Sequence, residues 1–106
     1  MIVVTAGTIE GKVVTRTLGL CRGNTIRARH IGKDIMAGLR GIVGGEVSEY
    51  TKLLAESREQ ALDRMVDEAR SLGANAIIDV RFETSMVMQG SAELLAYGTA
   101  VVVEDA

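Results

Sequence analysis

The last third of the chain, residues 76–104, constrains the fold most, because it predicts two β-strands with more apolar surface than a small domain can cover. In its first half, apolar residues at 78, 80, 82, 86 and 88 alternate with polar ones, which is typical of a half-buried strand. The second half, residues 94–103, is apolar on both faces. A strand buried on both faces needs packed secondary structure on each face, and a chain of 106 residues is too short to supply much of it. We therefore expect a second subunit to cover one face.

A long amphipathic helix is predicted over residues 46–72. Its apolar stripe repeats at spacings of three, four or seven residues and comprises Val47, Tyr50, Leu54, Ala61, Met65, Ala69 and Leu72. At 1.5 Å rise per residue the helix is roughly 40 Å long, whereas a compact domain of this size is about 33 Å across. The chain contains no proline that could bend the helix. A helix longer than its own domain again favours an oligomer.

The remaining segments complete an α+β plan for one domain, residues 1–106. A short strand is expected at residues 3–5, and a hairpin is expected from residues 12–20 and 25–28 around Gly23-Asn24. Residues 32–42 have helical spacing over about two turns, and Gln89-Gly90 is a candidate turn between the last two strands. The prediction is a mostly antiparallel sheet with one long helix and one short helix packed on it.

Composition excludes several classes of protein. A net charge of −2 argues against nucleic-acid binding, which needs a basic excess. The local basic group Arg22, Arg27, Arg29, His30 and Lys33 has no aromatic platform beside it, so we interpret it as a solvated rim. No apolar run is long enough for a transmembrane helix, and a single cysteine forms no internal disulfide. We expect a cytoplasmic protein with no membrane partner.

Cys21 and His30 are the candidate metal ligands. A soft divalent or monovalent ion takes three or four thiolate, imidazole or thioether ligands. One chain offers these two residues at best, so only a ring of subunits could repeat them around an axis. Met86 and Met88 could present two thioethers on one strand face. The alternative is that Cys21 is a buried structural thiol and the methionines fill a core that is poor in aromatics.

A ligand pocket between subunits is the other candidate site. Glu46, Tyr50, Arg81 and Tyr97 are polar or charged residues on or beside predicted apolar elements, and a buried phenol needs a partner. Tyr97 either forms a hydrogen bond in the core or lines such a pocket. The glycines at 41, 44 and 45 lack the Lys-Ser/Thr of a phosphate-binding loop. No set of residues for nucleophilic or acid–base catalysis can be assembled, so the sequence gives no catalytic residue.

A family resemblance spans nearly the whole chain. Its motifs are Gly44-Gly45-Glu46, Tyr50-Thr51, Ala55-Glu56-Ser57-Arg58, Ala61-Leu62-Asp63-Arg64-Met65, Leu72-Gly73-Ala74-Asn75-Ala76, Val80-Arg81-Phe82 and Ala96-Tyr97-Gly98-Thr99-Ala100-Val101. Together they strongly resemble the YbjQ-like family of small uncharacterised proteins, which are often labelled heavy-metal-binding. The resemblance implies an α+β subunit, of YbjQ-like or dodecin-subunit-like type, that closes into a homopentameric ring.

Two functional hypotheses follow. The first is a non-enzymatic ring-forming protein that binds a metal or a small ligand at its subunit interfaces. The alternative is an enzyme or cofactor-binding module with a pocket between subunits. The two differ in whether Glu46, Tyr50, Arg81 and Tyr97 converge around a cavity or pair off in a packed interface.

Overall fold

The computed structural model describes residues 1–27, 48–88 and 91–106. It contains β1 (Ile2–Val3), β2 (Lys12–Arg27), α1 (Ser48–Ser71), β3 (Ala76–Met88) and β4 (Ser91–Asp105). The strands form one sheet in the order β1-β3-β4-β2, and α1 lies across one of its faces. The predicted short helix at residues 32–42, the glycine-rich segment before α1 and the turn at Gln89-Gly90 lie outside the described residues.

The sheet is mixed, so the prediction of a mostly antiparallel sheet needs correction. β4 pairs antiparallel with both β2 and β3, but β1 pairs parallel with the beginning of β3. Two backbone hydrogen bonds, from Ile2 N to the Asn75 carbonyl at 3.2 Å and from Val4 N to the Ile77 carbonyl at 3.0 Å, fix this pairing. A segment as short as β1 has no periodicity that could have predicted its direction.

The predicted hairpin around Gly23-Asn24 is wrong, because β2 is one strand of 16 residues. Gly23 pairs with Ala96 and Asn24 pairs with Leu95, so both residues stay extended. Pairing along the whole of β4 therefore overrides their local turn preference. Gly23 has a different role: a Cβ there would overlap both the Ala61 carbonyl oxygen and the Met65 nitrogen of α1. Only glycine lets the helix approach the strand this closely.

The long helix is confirmed, and its end has an identifiable cause. Gly73 adopts φ +91°, the Gly73 amide donates to the Arg70 carbonyl at 2.9 Å, and the Ala74 amide donates to the Ala69 carbonyl at 3.0 Å. This is the Schellman arrangement, in which a left-handed glycine satisfies the last carbonyls of a helix. Within the described residues, no helix is both long enough and apolar enough to span a bilayer.

The main core lies between α1 and the sheet. Its fully or almost fully buried members come from all three long strands and the helix: Cys21, Ala61, Met65, Ala69, Ile77, Val80, Ala96 and Ala100. Small side chains dominate this contact, because α1 sits close to the backbone of β2 and β4. On β3 the helix covers Ile77 and Val80.

A second core covers one end of the opposite sheet face. It joins Ala76, Val101 and Val103, with Ile9 of the β1–β2 connection and Ile78 packed against it. Val101 is 1 % exposed and Val103 is 6 % exposed within a single chain. A second subunit was expected to cover one face of β4, but at this end the N-terminal segment of the same chain provides that cover.

A β-bulge explains why the predicted alternation along β3 fails. Ile78 pairs with Thr99 and Arg81 pairs with Tyr97, so Asp79 and Val80 together oppose the single residue Gly98. Asp79 adopts φ 55°, a left-handed conformation that is rare outside glycine. The extra residue places Ile77 and Val80, rather than Ile78 and Val80, on the helix side.

Candidate ligand site on the open sheet face

The half of the sheet face that lies opposite α1 and beyond the second core carries a mixture of apolar and charged residues, and we call it the open face. By strand register its members are Leu20, Arg22, Asn24 and Ile26 of β2; Glu93, Leu95, Tyr97 and Thr99 of β4; and Arg81, Glu83 and Ser85 of β3. Leu20 and Ile26 are 58 % and 59 % exposed. Leu95, Tyr97 and Thr99 are half-buried although β4 is the central strand here. Among the described elements, none packs on this face as α1 packs on the other.

Two arginines flank a tyrosine in one row across the open face. Arg22 is the register partner of Tyr97 on one side, and Arg81 is its partner on the other. Directly opposed residues of antiparallel strands have Cβ atoms about 5 Å apart, so these three side chains are immediate neighbours. Arg22 and Arg81 are exposed, and Tyr97 is half-buried between them. The row combines two guanidinium groups and one phenol.

Backbone carbonyls orient the guanidinium group of Arg81. Its Nη1 donates to the Thr5 carbonyl oxygen at 2.9 Å and to the Val80 carbonyl oxygen at 2.9 Å. Arginine has five N–H donors, so the Nε and Nη2 edge retains three. Arg81 therefore ties the β1–β2 connection to β3 while one edge of its guanidinium stays available.

The structure brings together part of the predicted pocket. Arg81 and Tyr97 are neighbours, as the pocket hypothesis requires. Tyr50 belongs to α1, which packs on the opposite face of the sheet, so one chain does not bring it into this row. Glu46 lies outside the described residues. Sequence analysis placed Arg22 in a solvated basic rim. It missed the position of Arg22 beside Tyr97, because that position depends on the β2–β4 register, which no local pattern reveals.

Cys21 is a buried thiol. Its side chain is fully buried in the core under α1, and its Sγ donates to the Gly98 carbonyl oxygen at 3.6 Å. Burial raises the pKa of the Cys21 thiol above its ordinary value of 9.0, and the nearby Glu68 carboxylate raises this pKa further. Metal ligation uses the thiolate, which this environment disfavours.

The donor residues of the described chain do not fit a soft metal ion. Across residues 1–27, 48–88 and 91–106, His, Cys, Asp and Glu side chains form no group of three or more that could hold one. Met86 is 78 % exposed, and the side chain of Met88 lies outside the described part of the chain. His30 lies outside the described residues. The Cys21–His30 metal site therefore stays a prediction.

A cleft of about 490 Å³ opens on the other side of the sheet, between α1 and the far ends of the strands. Its walls come from α1 and three strands: Thr25, Leu54, Ser57, Arg58, Phe82, Thr84, Ala92, Glu93 and Leu94. Carbon atoms form most of these walls. Thr25 donates to the Ser57 carbonyl at 3.4 Å, so this hydroxyl is already engaged within the chain.

Comparison with known proteins settles the family. The sequence profile of the YbjQ_1 family, described as "Putative heavy-metal-binding", matches residues 1–104. The chain belongs to the YbjQ family. A UPF0145 protein of Methanosarcina acetivorans is 60 % identical over 103 residues, which is 97 % of each chain. A UPF0145 protein of Dehalococcoides mccartyi is 59 % identical over 104 residues, covering 98 % of this chain and all of its relative. The resemblance seen in the sequence motifs is confirmed.

A solved structure supports the fold of this YbjQ-family chain. It is a protein of unknown function from Pediococcus pentosaceus, assigned to the DUF74 family, with a TM-score of 0.64 and 14 % sequence identity. The alignment covers 98 % of both chains. At this identity the likeness concerns the α+β fold alone.

Proposed function

We propose that this protein is a ring-forming homo-oligomer of five subunits, located in the cytoplasm, that binds a small ligand where subunits meet. The observation that carries the proposal is the open face. A central strand that is half-buried and flanked by exposed Leu20 and Ile26 is typical of a surface that another copy covers.

The shape of the subunit supports assembly. β2 has 16 residues, which at 3.3 Å per residue is about 53 Å. The chain measures 55 × 26 × 16 Å along its principal axes, with a radius of gyration of 17.1 Å. A compact domain of this length has a radius of gyration near 13 Å. An elongated, thin subunit leaves much of its sheet for neighbours to cover.

A small ligand suits the described residues better than a heavy metal. The thiol of Cys21 is buried below the helix, where burial raises its pKa and disfavours the thiolate, and the described carboxylates do not cluster. Arg81 and Tyr97, in contrast, are neighbours on the face that we assign to the interface. A ligand bound there would contact the side chains of two subunits, and Tyr50 or Glu46 of a neighbour could complete the pocket.

Native mass spectrometry of the purified protein tests the assembly. The expected mass is five times the 11.3 kDa chain. A double variant, Leu20→Gln with Ile26→Gln, removes the two exposed apolar side chains of the open face and should give monomers that retain their far-ultraviolet circular dichroism. Val13→Gln is the matched control, because Val13 is an exposed residue of the same strand outside the open face. A monomeric wild type, or a double variant that still forms pentamers, would contradict the proposal.

A further inference from the structure

We infer that the row Arg22–Tyr97–Arg81 binds an oxyanion of the phosphate class, either inorganic phosphate or the phosphate group of a small molecule. The inference rests on the proposed function, since it names the chemistry of the ligand at the same face. Arg22, which no sequence motif pointed to, becomes one of its two charged contacts.

The charges of the row favour an anion. Within the described residues, ion pairs join Lys12 to Asp105 and Arg70 to Asp67, and neither involves Arg22 or Arg81. Two guanidinium groups separated by one tyrosine therefore stand without a carboxylate partner in the described part of the chain.

The acidic residues of the open face lie in other rows. Glu83 pairs with Leu95, one row farther from the second core, so it lies about 7 Å along the strand from Arg81. Glu93 lies two rows away, and its carboxylate accepts a hydrogen bond from Asn24 Nδ2 at 3.0 Å. Glu68 approaches Arg22 from the helix side, where its carboxylate accepts a hydrogen bond from the Arg22 backbone N–H at 3.2 Å. This contact does not involve the Arg22 guanidinium.

The geometry suits a tetrahedral oxyanion. The two carbonyl contacts of Arg81 Nη1 hold its guanidinium in place, so its Nε and Nη2 donors can form the paired hydrogen bonds that guanidinium groups make to phosphate oxygens. The guanidinium of Arg22 offers a second set of N–H donors from the opposite side of Tyr97. The Tyr97 hydroxyl can donate to a third oxygen of the anion. Two cations match the charge of a dianion better than that of a monovalent carboxylate.

Isothermal titration calorimetry of the purified full chain at pH 7.5 and constant ionic strength tests the site, with inorganic phosphate as the probe. Wild-type protein should bind phosphate and sulfate, and acetate at least tenfold more weakly. Arg22→Gln should raise the Kd for phosphate by about tenfold or more, which is the usual loss for a charge-assisted hydrogen-bonded contact. Tyr97→Phe should raise it by a smaller factor.

Arg16→Gln is the control, because Arg16 is an exposed arginine of the same strand that pairs with Val102, away from the row. It removes the same charge and should leave the Kd within about twofold. An equal loss in both variants would overturn the inference, since it would show attraction to net charge rather than to a site. Absence of phosphate binding to the wild type would also overturn it. Dissociation of the oligomer by Arg22→Gln would overturn it as well, since it would show that the guanidinium pairs with a carboxylate of a second copy and not with an anion.

The two proposals fail separately. A pentamer that binds no phosphate would remove the anion site and leave the ring in place. A monomer that binds phosphate with the expected dependence on Arg22 would remove the ring and leave the site.

Discussion

The side chain of Asn75 forms two hydrogen bonds with the backbone of Val103, in the pattern that the backbone of a neighbouring strand would form. The Nδ2 of Asn75 donates to the Val103 carbonyl at 2.9 Å, and the Val103 amide donates to Asn75 Oδ1 at 2.8 Å. The Asn75 backbone amide also donates to the Val101 carbonyl at 3.1 Å. This residue therefore joins the end of α1 to β4, two positions after Gly73, the glycine that ends the helix.

Replacing Asn75 by Leu should lower the free energy of unfolding by about 2 kcal/mol, because it leaves one partly buried donor and one partly buried acceptor of Val103 without partners. Urea denaturation measures the change. Asn75→Asp keeps the acceptor for the Val103 amide and should fall between wild type and Asn75→Leu. Equal stability of all three proteins would show that water replaces the side chain at no cost.

Gly23→Ala should destabilise the fold by about 1–3 kcal/mol, because the added Cβ would overlap the backbone of α1 at Ala61 and Met65. Gly7→Ala is the control, since its Cβ would meet its nearest atom, Asp79 Oδ1, at an ordinary 3.4 Å. Thermal unfolding of both variants distinguishes them. A harmless Gly23→Ala would mean that α1 can move away from β2 freely.

Asp79→Gly should stabilise the protein by up to about 1 kcal/mol, because glycine adopts the left-handed backbone of the bulge without steric cost. Asp79→Val should destabilise it, since a β-branched residue is strongly disfavoured at positive φ. Chemical denaturation of the pair gives the sign of each effect. Loss of stability in Asp79→Gly would indicate that the carboxylate itself contributes, for example through its proximity to Gly7.

The Cys21 thiol should make stability decrease in alkaline solution. Its pKa is raised in the folded state, so the unfolded chain loses this proton first as the pH rises through about 9.0. The contribution of the thiol to the free energy of unfolding is fully present below its pKa in the unfolded chain. It is lost as the pH rises to the pKa in the folded chain, and the free energy of unfolding then falls by at most about 1.4 kcal/mol per pH unit. Unfolding of wild type and Cys21→Ala between pH 7.5 and 10.5 measures the difference. Parallel curves would argue against a perturbed thiol.

The sequence was most informative where a pattern is local. The 3.6-residue stripe predicted that α1 ends at residue 72, one residue beyond the observed Ser71, and the apolar lines of residues 76–104 predicted β3 and β4. It was misleading at Gly23, where glycine indicates a turn in isolation. The actual reason for that glycine is a helix about 40 residues away along the chain, which a local pattern does not contain.

Long-range register explains what was missed at the site. Arg22 and Tyr97 are 75 positions apart, and only the pairing of β2 with β4 makes them neighbours. A shift of that pairing by one residue would move Arg22 to the other side of the sheet. Arg81 and Tyr97 were singled out because both are polar residues in apolar surroundings, and the strand pairing then placed them side by side.

The bulge at Asp79 decides on which side of the sheet Arg81 stands. Counting from Ile77 on the helix side, strict alternation would put Arg81 under α1 and leave Val80 on the outside. One inserted residue reverses this order, so an arginine that would otherwise be buried without a counter-ion faces outward beside Tyr97. The guanidinium row thus depends on an irregularity two positions upstream, and a descendant of this chain that lost the extra residue would lose the row even if it kept all three of its side chains.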